Sequence, residues 1–210
     1  QEGMMTPENL VYHAVKRLHL PRYLGNTSMT GLSFAYRKFC VASEGFKEMF
    51  VRKGISPDNI AVTGIPNFDD LDRYRQDDFP FRDFVLGATS SLRESFQYED
   101  RPAFIRKVLE VADGRQVVFK LHPNENHTRA LREIGHYAPG AVTFTSGNIH
   151  SMIANCTAMV TKYSSVMLIA LGMGKFVYSD LEPSFAEGLR PVQNGGTSAK
   201  NIADICRQYL

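Results

Sequence analysis

Short apolar strands alternate with helix-forming segments over most of this chain, and this alternation constrains the fold more than any other feature of the sequence. The segments predicted as strands, all after residue 38, are FCVAS, NIAVTG, DFVLGAT, QVVFKLH, AVTFTS, AMVTKY and KFVYSD. Helix-forming segments lie between them, such as EGFKEMFVRKG, which Gly54 closes. Continuously apolar strands that alternate with helices are typical of a parallel sheet covered on both faces. The sequence therefore predicts an α/β fold with a doubly wound parallel sheet.

The first 38 residues follow a different pattern. Residues 7–20 space their apolar side chains at helical intervals, with Thr6 as the predicted cap and Pro7 at the first helical position. Residues 22–38 mix Gly, Asn, Ser and Thr with aromatic residues, which indicates a linker or a surface helix. We therefore predict a boundary between residues 1–38 and a Rossmann-like domain over residues 39–210.

Composition and charge exclude several classes of protein. The 210 residues are 43% apolar and 22% charged, which suits one compact unit with a sizeable core, with or without an appendage. The formal net charge is +2 and the cations are spread along the chain, so no nucleic-acid partner is predicted. No apolar stretch is long enough to span a bilayer, and the N-terminal residues lack the pattern of a signal peptide.

The cysteines and the first residue bear on cellular context. Cys40, Cys156 and Cys206 each lie in an apolar run without metal-ligand spacing, so we expect buried thiols outside disulfides, no metal site and a cytoplasmic location. Because the chain begins with Gln and not with Met, we expect it to be a fragment of a longer protein.

Candidate site residues follow the strands, because ligands of an open parallel sheet bind beyond the carboxyl ends of its strands. His122 is the sharpest candidate, since Pro123 ends the strand and leaves the imidazole at the edge of the sheet. Lys120 lies on the same strand face as His122 and either adds charge toward a phosphate or covers the sheet. The full set of residues predicted at this edge is Thr89, Ser90, Ser91, Lys120, His122, Pro123, Asn124, Tyr163, Ser164 and Ser165.

The serine clusters allow two interpretations. Ser164 and Ser165 precede an apolar helix, so they either cap that helix or bind a phosphate at its positive end. Thr89, Ser90 and Ser91 allow the same two interpretations. The motifs GxGxxG and GxxxxGK[ST] are absent from the sequence, which argues against NAD and ATP as ligands.

Two segments together resemble the bacterial GT-B-fold enzymes, over roughly residues 39 to 180. One is TGIPNFD, from Thr63 to Asp69, which follows a strand, a helix and a second strand within residues 41–71; the other is KLHPNE. The resemblance implies that residues 39–210 are the C-terminal, nucleotide-donor-binding half of a GT-B fold. Residues 1–38 would then be an interdomain linker or the tail of an N-terminal domain, most of which is missing.

Two branches of these enzymes share features with this sequence. UDP-N-acetylglucosamine 2-epimerases share the TGxPxxD segment, but their last phosphate loop reads Ser-Gly-Gly and is followed by a glutamate. Here the corresponding run, Tyr163 to Ala170, has neither a Gly pair nor a Glu. CDP-glycerol glycerophosphotransferases, capsule Kdo transferases and polysialyltransferases have His-Pro and Ser-Ser motifs similar to those at His122 and Ser164. VTKYSSV resembles their TDYSSV, although Lys162 replaces the usual acid.

The resemblance to the second branch implies transfer of a sugar or polyol phosphate from a nucleotide-activated donor to a glycan or polyol acceptor in bacterial surface polysaccharide synthesis. The donor, CMP-, CDP- or UDP-linked, is a substrate, and no cofactor or metal is expected. His122 would hold the donor phosphate as a catalytic residue. The general base would mostly be absent from this chain, and Glu2 either lies in the cleft as a catalytic carboxylate or is an ordinary residue near the terminus. A UDP-sugar epimerase and a non-catalytic module that binds nucleotide or glycan remain the alternatives, and peripheral membrane association of the full protein is left open.

Overall fold

A computed structural model describes residues 4, 8–32, 36–162 and 164–210. The predicted residues Glu2, Thr6, Pro7 and Tyr163 lie outside these ranges. In chain order the helices are α1 (Leu10–Arg17), α2 (Glu44–Arg52), α3 (Arg101–Ala112), α4 (His127–Tyr137), α5 (Ile149–Asn155), α6 (Val166–Gly172), α7 (Pro183–Gly188) and α8 (Ser198–Arg207). The strands are β1 (Phe39–Val41), β2 (Ile60–Val62), β3 (Phe84–Ala88), β4 (Val117–Lys120), β5 (Val142–Phe144), β6 (Cys156–Thr161) and β7 (Phe176–Tyr178). Short 3₁₀ helices cover Arg22–Met29, Pro57–Asn59, Pro66–Phe68, Leu71–Gln76 and Arg93–Ser95.

The chain divides into two compact units. The first unit combines the residues up to Asp69 with Gly188–Leu210, and the second unit is the continuous segment Asp70–Glu187. This division differs from the predicted boundary at residue 39, because β1 and β2 pair with each other and not with the other five strands. A strand pattern shows where strands occur, but partners are chosen by contacts between residues distant in sequence.

Three local features shape the first unit. The Asn9 side chain accepts a hydrogen bond from Tyr12 N at 2.9 Å, so α1 begins at Leu10, three residues later than predicted. Strands β1 and β2 pair in parallel, with Phe39 opposite Ile60. Helix α2 ends as predicted, with Gly54 in the left-handed region at a φ of 102°.

The second unit contains the parallel sheet that the sequence predicts. Its strand order is β5-β4-β3-β6-β7, and every neighbouring pair is parallel. All residues of β3 and β4 are buried, which explains why both strands are continuously apolar apart from Lys120. On one face, Phe119 and Leu121 pack with Ile105 and Val108 of α3 and Ile134 of α4. The α/β class with a Rossmann-like sheet is confirmed.

Strand order also locates the point at which the winding of the sheet reverses. From β3 the chain proceeds outward to β4 and β5, and then crosses back to place β6 on the other side of β3. Ligands of such sheets bind where the order reverses, beyond the carboxyl ends of the two strands concerned. That position lies between the ends of β3 and β6.

Other features of the described residues bear on the predictions from the sequence. Cys156 is buried and Cys40 half-buried, but Cys206 is exposed on α8, because its run of apolar residues belongs to an amphipathic helix. None of these three cysteines, all within the described ranges, takes part in a disulfide. Helix α7 was not predicted, since its sequence PSFAEG begins with Pro and ends with Gly and is typical of a loop. No helix among the described residues is both long and apolar enough to cross a membrane.

Candidate functional site

The carboxyl ends of three adjacent strands carry most of the residues predicted from the sequence. Because β3 lies between β4 and β6, the residues that follow these strands meet at one edge of the sheet. They are Thr89–Ser91 after β3, His122–Asn124 after β4, and Ser164–Ser165 after β6. The catalytic candidate Glu2 and the phosphate-binding candidate Tyr163 lie outside the described residues.

His122 is held by hydrogen bonds from its backbone and its ring. Its backbone N–H donates to Thr89 Oγ1 at 2.9 Å and to Glu125 Oε2 at 3.0 Å. Its carbonyl oxygen accepts from Glu125 N at 3.2 Å and lies 3.1 Å from His127 Nε2. Ring atom Nδ1 accepts from Asn124 N at 3.1 Å, so a neutral ring must carry its proton on Nε2. The half-buried imidazole is therefore set to donate from Nε2.

Pro123 and Asn124 have different roles at this turn. Both are exposed, and Pro123 lies just beyond β4 as predicted, where its missing N–H costs no sheet hydrogen bond. Asn124 contributes its backbone amide to the His122 ring.

Three other predicted phosphate ligands form bonds within the protein. The Thr89 hydroxyl bonds to Glu125 Oε2, and the Ser90 hydroxyl donates to Glu99 Oε2 at 3.1 Å. Lys120 Nζ donates to the carbonyl oxygen of Leu121 at 2.8 Å. Burial lowers the pKa of Lys120, while the nearby Glu125 carboxylate acts in the opposite direction. These three side chains shape the edge of the sheet from within, whereas Ser91 is half-buried at its surface.

The serines before α6 do not behave as an ordinary helix cap. Ser165 occupies the N-cap position, but its side chain makes no capping hydrogen bond. The first helical bonds run instead to backbone carbonyls, from Met167 N to Ser164 O at 3.2 Å and from Leu168 N to Ser165 O at 3.0 Å. Ser165 is exposed and Ser164 half-buried. The sequence left two interpretations for this pair, a helix cap or a phosphate site. The Ser165 side chain does not cap α6 in this structure.

Lys162, which follows β6, pairs with the neighbouring strand connection. Its Nζ lies 3.2 Å from Asp180 Oδ2, beyond the end of β7. This ion pair joins the end of β6 to the loop that follows β7.

Sequence reasoning missed a buried ionic cluster beneath this edge. Arg101 has no exposed side-chain surface, and its guanidinium lies 3.1 Å from Glu99 Oε2 and 3.2 Å from Glu125 Oε1. Nearby, Arg93 and Glu133 form a two-point ion pair at 2.7 and 2.8 Å. One signal was available, because Arg101 is the first residue of α3, where the helix dipole disfavours a cation. A cation at that position indicates carboxylate partners elsewhere in the chain.

Two surface cavities lie away from the predicted site. One of about 600 Å³ is in the first unit, with Lys16, Arg22, Tyr36 and Lys53 in its lining. Burial lowers the pKa of Lys53 there; Glu8 opposes this shift, and Lys16 adds to it. The other, of about 610 Å³, lies in the second unit at the amino ends of β6 and β7. Neither lining contains a residue predicted for the site.

Comparisons with known proteins give a result at the level of the fold. No protein-family model matches the chain, and no curated protein matches it. Solved structures do match. A putative UDP-N-acetylglucosamine 2-epimerase from Listeria monocytogenes is 16% identical with a TM-score of 0.61, over 90% of this chain and 65% of its own. The UDP-GlcNAc 2-epimerase from Neisseria meningitidis bound to UDP-GlcNAc is 15% identical with a TM-score of 0.60, over 88% and 64% of the two chains.

A third match belongs to the other branch. The wall teichoic acid polymerase TagF, in its H548A form, is 14% identical with a TM-score of 0.53, over 90% of this chain and 61% of its own. The chain thus spans less than two thirds of the length of these structures. These likenesses confirm the predicted resemblance to GT-B-type proteins of both branches as a shared fold.

Proposed function

We propose that this chain supplies the nucleotide-donor site of a GT-B-type glycosyltransferase or polyol-phosphate transferase of bacterial surface polysaccharide synthesis. The observation that carries the proposal is the fixed His122 ring, whose Nε2–H lies at the end of β4 beside the reversal point of the sheet. Donor phosphate would bind there, with Ser91, Ser164 and Ser165 as further hydrogen-bond donors. The fold shared with TagF and the epimerases supports this reading.

The arrangement suits the chemistry of a departing nucleotide. Negative charge grows on the nucleoside phosphate as its bond to the sugar or polyol phosphate breaks, and preorganised donors stabilise that charge. Because Asn124 N and Glu125 fix His122 before any ligand binds, little reorganisation is needed when Nε2–H donates. The acceptor hydroxyl also requires a base, for which Glu2 stays the candidate, in a full protein that includes an N-terminal domain.

The epimerase alternative uses the same leaving group. Two of the matched structures are named as UDP-GlcNAc 2-epimerases, which favours this alternative as a second candidate. Such an enzyme would also need a phosphate site at His122. Formation of an epimer without any acceptor would identify it, whereas turnover that depends on a glycan or polyol acceptor would identify the transferase. Nucleotide binding without either reaction would identify a non-catalytic module.

The proposed cellular setting follows from the proposed substrates. We place the protein in the cytoplasm, where nucleotide-activated donors and unbridged thiols such as Cys156 and Cys206 are expected. Peripheral association of the full protein with the membrane would suit a lipid-linked acceptor.

Replacing His122 tests the proposal directly. In the full-length protein, we expect His122→Ala to lower kcat/KM for the donor by a factor of about 100, in the range for removal of one preorganised donor. The measurement is release of CDP, CMP or UDP from CDP-glycerol, a CMP-sugar or UDP-GlcNAc. His136→Ala, at an exposed position of α4, is the matched control and should keep wild-type rates. Equal rates for wild type and His122→Ala would overturn the proposal.

A further inference from the structure

A charged cluster lies entirely beneath the edge of the sheet that carries His122. We define it as the Arg101 cluster: Glu99, Arg101 and Glu125, whose side chains are at most 1% exposed. Arg101 also donates to the carbonyl oxygen of Ser90 at 3.2 Å. One guanidinium therefore links the connection after β3 with the turn after β4.

Glu125 connects this cluster to His122. One carboxylate oxygen, Oε1, faces Arg101 Nη1 at 3.2 Å. The other, Oε2, accepts from His122 N at 3.0 Å and bonds to the Thr89 hydroxyl. Since Glu125 N also donates to His122 O, the turn from 122 to 125 is closed by both the backbone and the side chain of Glu125.

The ring orientation of His122 depends on this turn. Asn124 N lies inside the turn and donates to His122 Nδ1 at 3.1 Å. If the turn opens, that bond is lost, and the proton of the neutral ring is free to occupy either nitrogen. Burial of an ion costs free energy unless an opposite charge lies beside it. Movement of Glu125 away from Arg101 would leave the guanidinium with Glu99 as its remaining close carboxylate.

We propose that Glu125, itself held by Arg101, is a positioning residue that fixes the His122 ring with its proton on Nε2. Its role in donor binding rests on the proposed function above, but its control of the His122 tautomer does not. The two can therefore be tested separately.

The first experiment reads the tautomer without any ligand. Long-range ¹H–¹⁵N correlation spectra of the whole protein distinguish Nε2–H from Nδ1–H imidazoles, and loss of one ring signal in His122→Ala assigns the residue. We expect the Nε2–H form in wild type and a mixture of both forms in Glu125→Gln, whose amide cannot bond both Arg101 and the two donors at Oε2. Glu110→Gln, which removes an exposed carboxylate paired with Lys107 on α3, is the control and should match wild type. An unchanged His122 tautomer in Glu125→Gln would overturn the inference.

The second experiment measures whether Glu125 acts through His122. Calorimetric titration with CDP and UDP should give binding about tenfold weaker for Glu125→Gln than for wild type, as expected for one hydrogen bond to a charged group. In the His122→Ala background the same change should have almost no further effect, because a residue that acts through another is non-additive with it. An equal loss in both backgrounds would show a merely structural role and overturn the inference. Binding that His122→Ala leaves unchanged would instead overturn the proposed function, with the tautomer result still deciding the role of Glu125.

Thr89 provides a second pair of variants in case Glu125→Gln does not fold. Thr89→Val removes the hydroxyl that contacts both Glu125 and His122 N, while Thr89→Ser keeps it. We expect a mixture of the two His122 tautomers in Thr89→Val and the Nε2–H tautomer of wild type in Thr89→Ser. The same tautomer in both would contradict the inference.

Discussion

His122 illustrates how a single residue is oriented by its neighbours. Its ring nitrogen Nδ1 bonds within the turn and its backbone N–H bonds to a buried carboxylate, so only Nε2 is left to act outward. The sequence predicted the position of this residue from Pro123 alone. It did not predict the tautomer, because the donors that set it come from the folded turn and from Glu125.

Cys156 gives a prediction at the same scale. Burial raises the pKa of its thiol to about 12, and the nearby Lys175 opposes this only in part. The thiolate that reacts with alkylating reagents is therefore almost absent near pH 8. We expect iodoacetamide to modify the exposed Cys206 in the folded protein and to modify Cys156 only after denaturation, as read by mass spectrometry of peptides. Modification of both at equal rates in the folded protein would contradict the buried position of Cys156.

Among the elements, helix α8 is capped from a distant part of the sequence. Asp69 Oδ1 accepts from Ser198 N at 3.0 Å, and Asp69 Oδ2 accepts from Ala199 N at 3.0 Å. Asp69 is the last residue of the TGIPNFD segment. Gly64 of the same segment lies so close to Val192 that a Cβ atom at position 64 would be 2.0 Å from the Val192 carbonyl oxygen. The segment that carried the family resemblance thus holds the C-terminal residues of the first unit.

Removing this cap should destabilise the protein in a pH-dependent way. Burial raises the pKa of Asp69, but the hydrogen bonds from Ser198 and Ala199 outweigh it and hold the pKa below its usual value. A carboxyl whose pKa is lowered by folding stabilises the protein above its unfolded-state pKa, and this contribution is lost as the pH falls through the folded-state pKa. We expect Asp69→Ala to cost about 1 kcal/mol at pH 7, as for other helix caps.

Urea unfolding followed by circular dichroism at pH 7, 4 and 3 measures this difference in the free energy of unfolding. The gap between wild type and Asp69→Ala should be nearly constant down to about pH 4 and should narrow as the pH falls below that value, through the lowered folded-state pKa. Asp58→Ala, at an exposed position of the same unit, should differ little from wild type at any of these pH values. A gap that is constant with pH would show that the Asp69 charge does not stabilise α8.

An element could be predicted from the sequence when the interactions that form it are local in the chain. The buried strands β3 and β4 and the Gly54 helix end are set by local composition, and the predictions for them are confirmed. The start of α1 at Leu10 depends on competition between adjacent caps, which periodicity does not resolve. Asp69 caps α8 from a position 129 residues earlier in the chain, so no local sequence pattern predicts this cap. The Arg101 cluster was missed for a different reason, because charged residues in a sequence are normally expected to be exposed. The cation at the start of α3 was the one signal against that expectation.

At the scale of the whole molecule, the proposed donor site belongs to the second unit alone. Hydrogen exchange with mass spectrometry in the presence of CDP or UDP should therefore show slower exchange at residues 89–91, 121–126 and 164–168. The residues around the cavity of the first unit, between Val15 and Asn59, should be unaffected by nucleotide. Protection confined to those first-unit residues would place the nucleotide in that cavity and contradict the proposed site.

The division into units has a consequence for biosynthesis. Residues 70–187 are continuous, whereas the first unit also needs Gly188–Leu210, which leave the ribosome only after the whole of the second unit. Domains generally fold in order of synthesis, as their residues emerge. Here we expect the second unit to fold before the first. The segment up to Asp69, with β1 and β2, would remain unfolded until the residues that Asp69 caps have been translated. During that interval it is the part of the protein most exposed to chaperones and proteases.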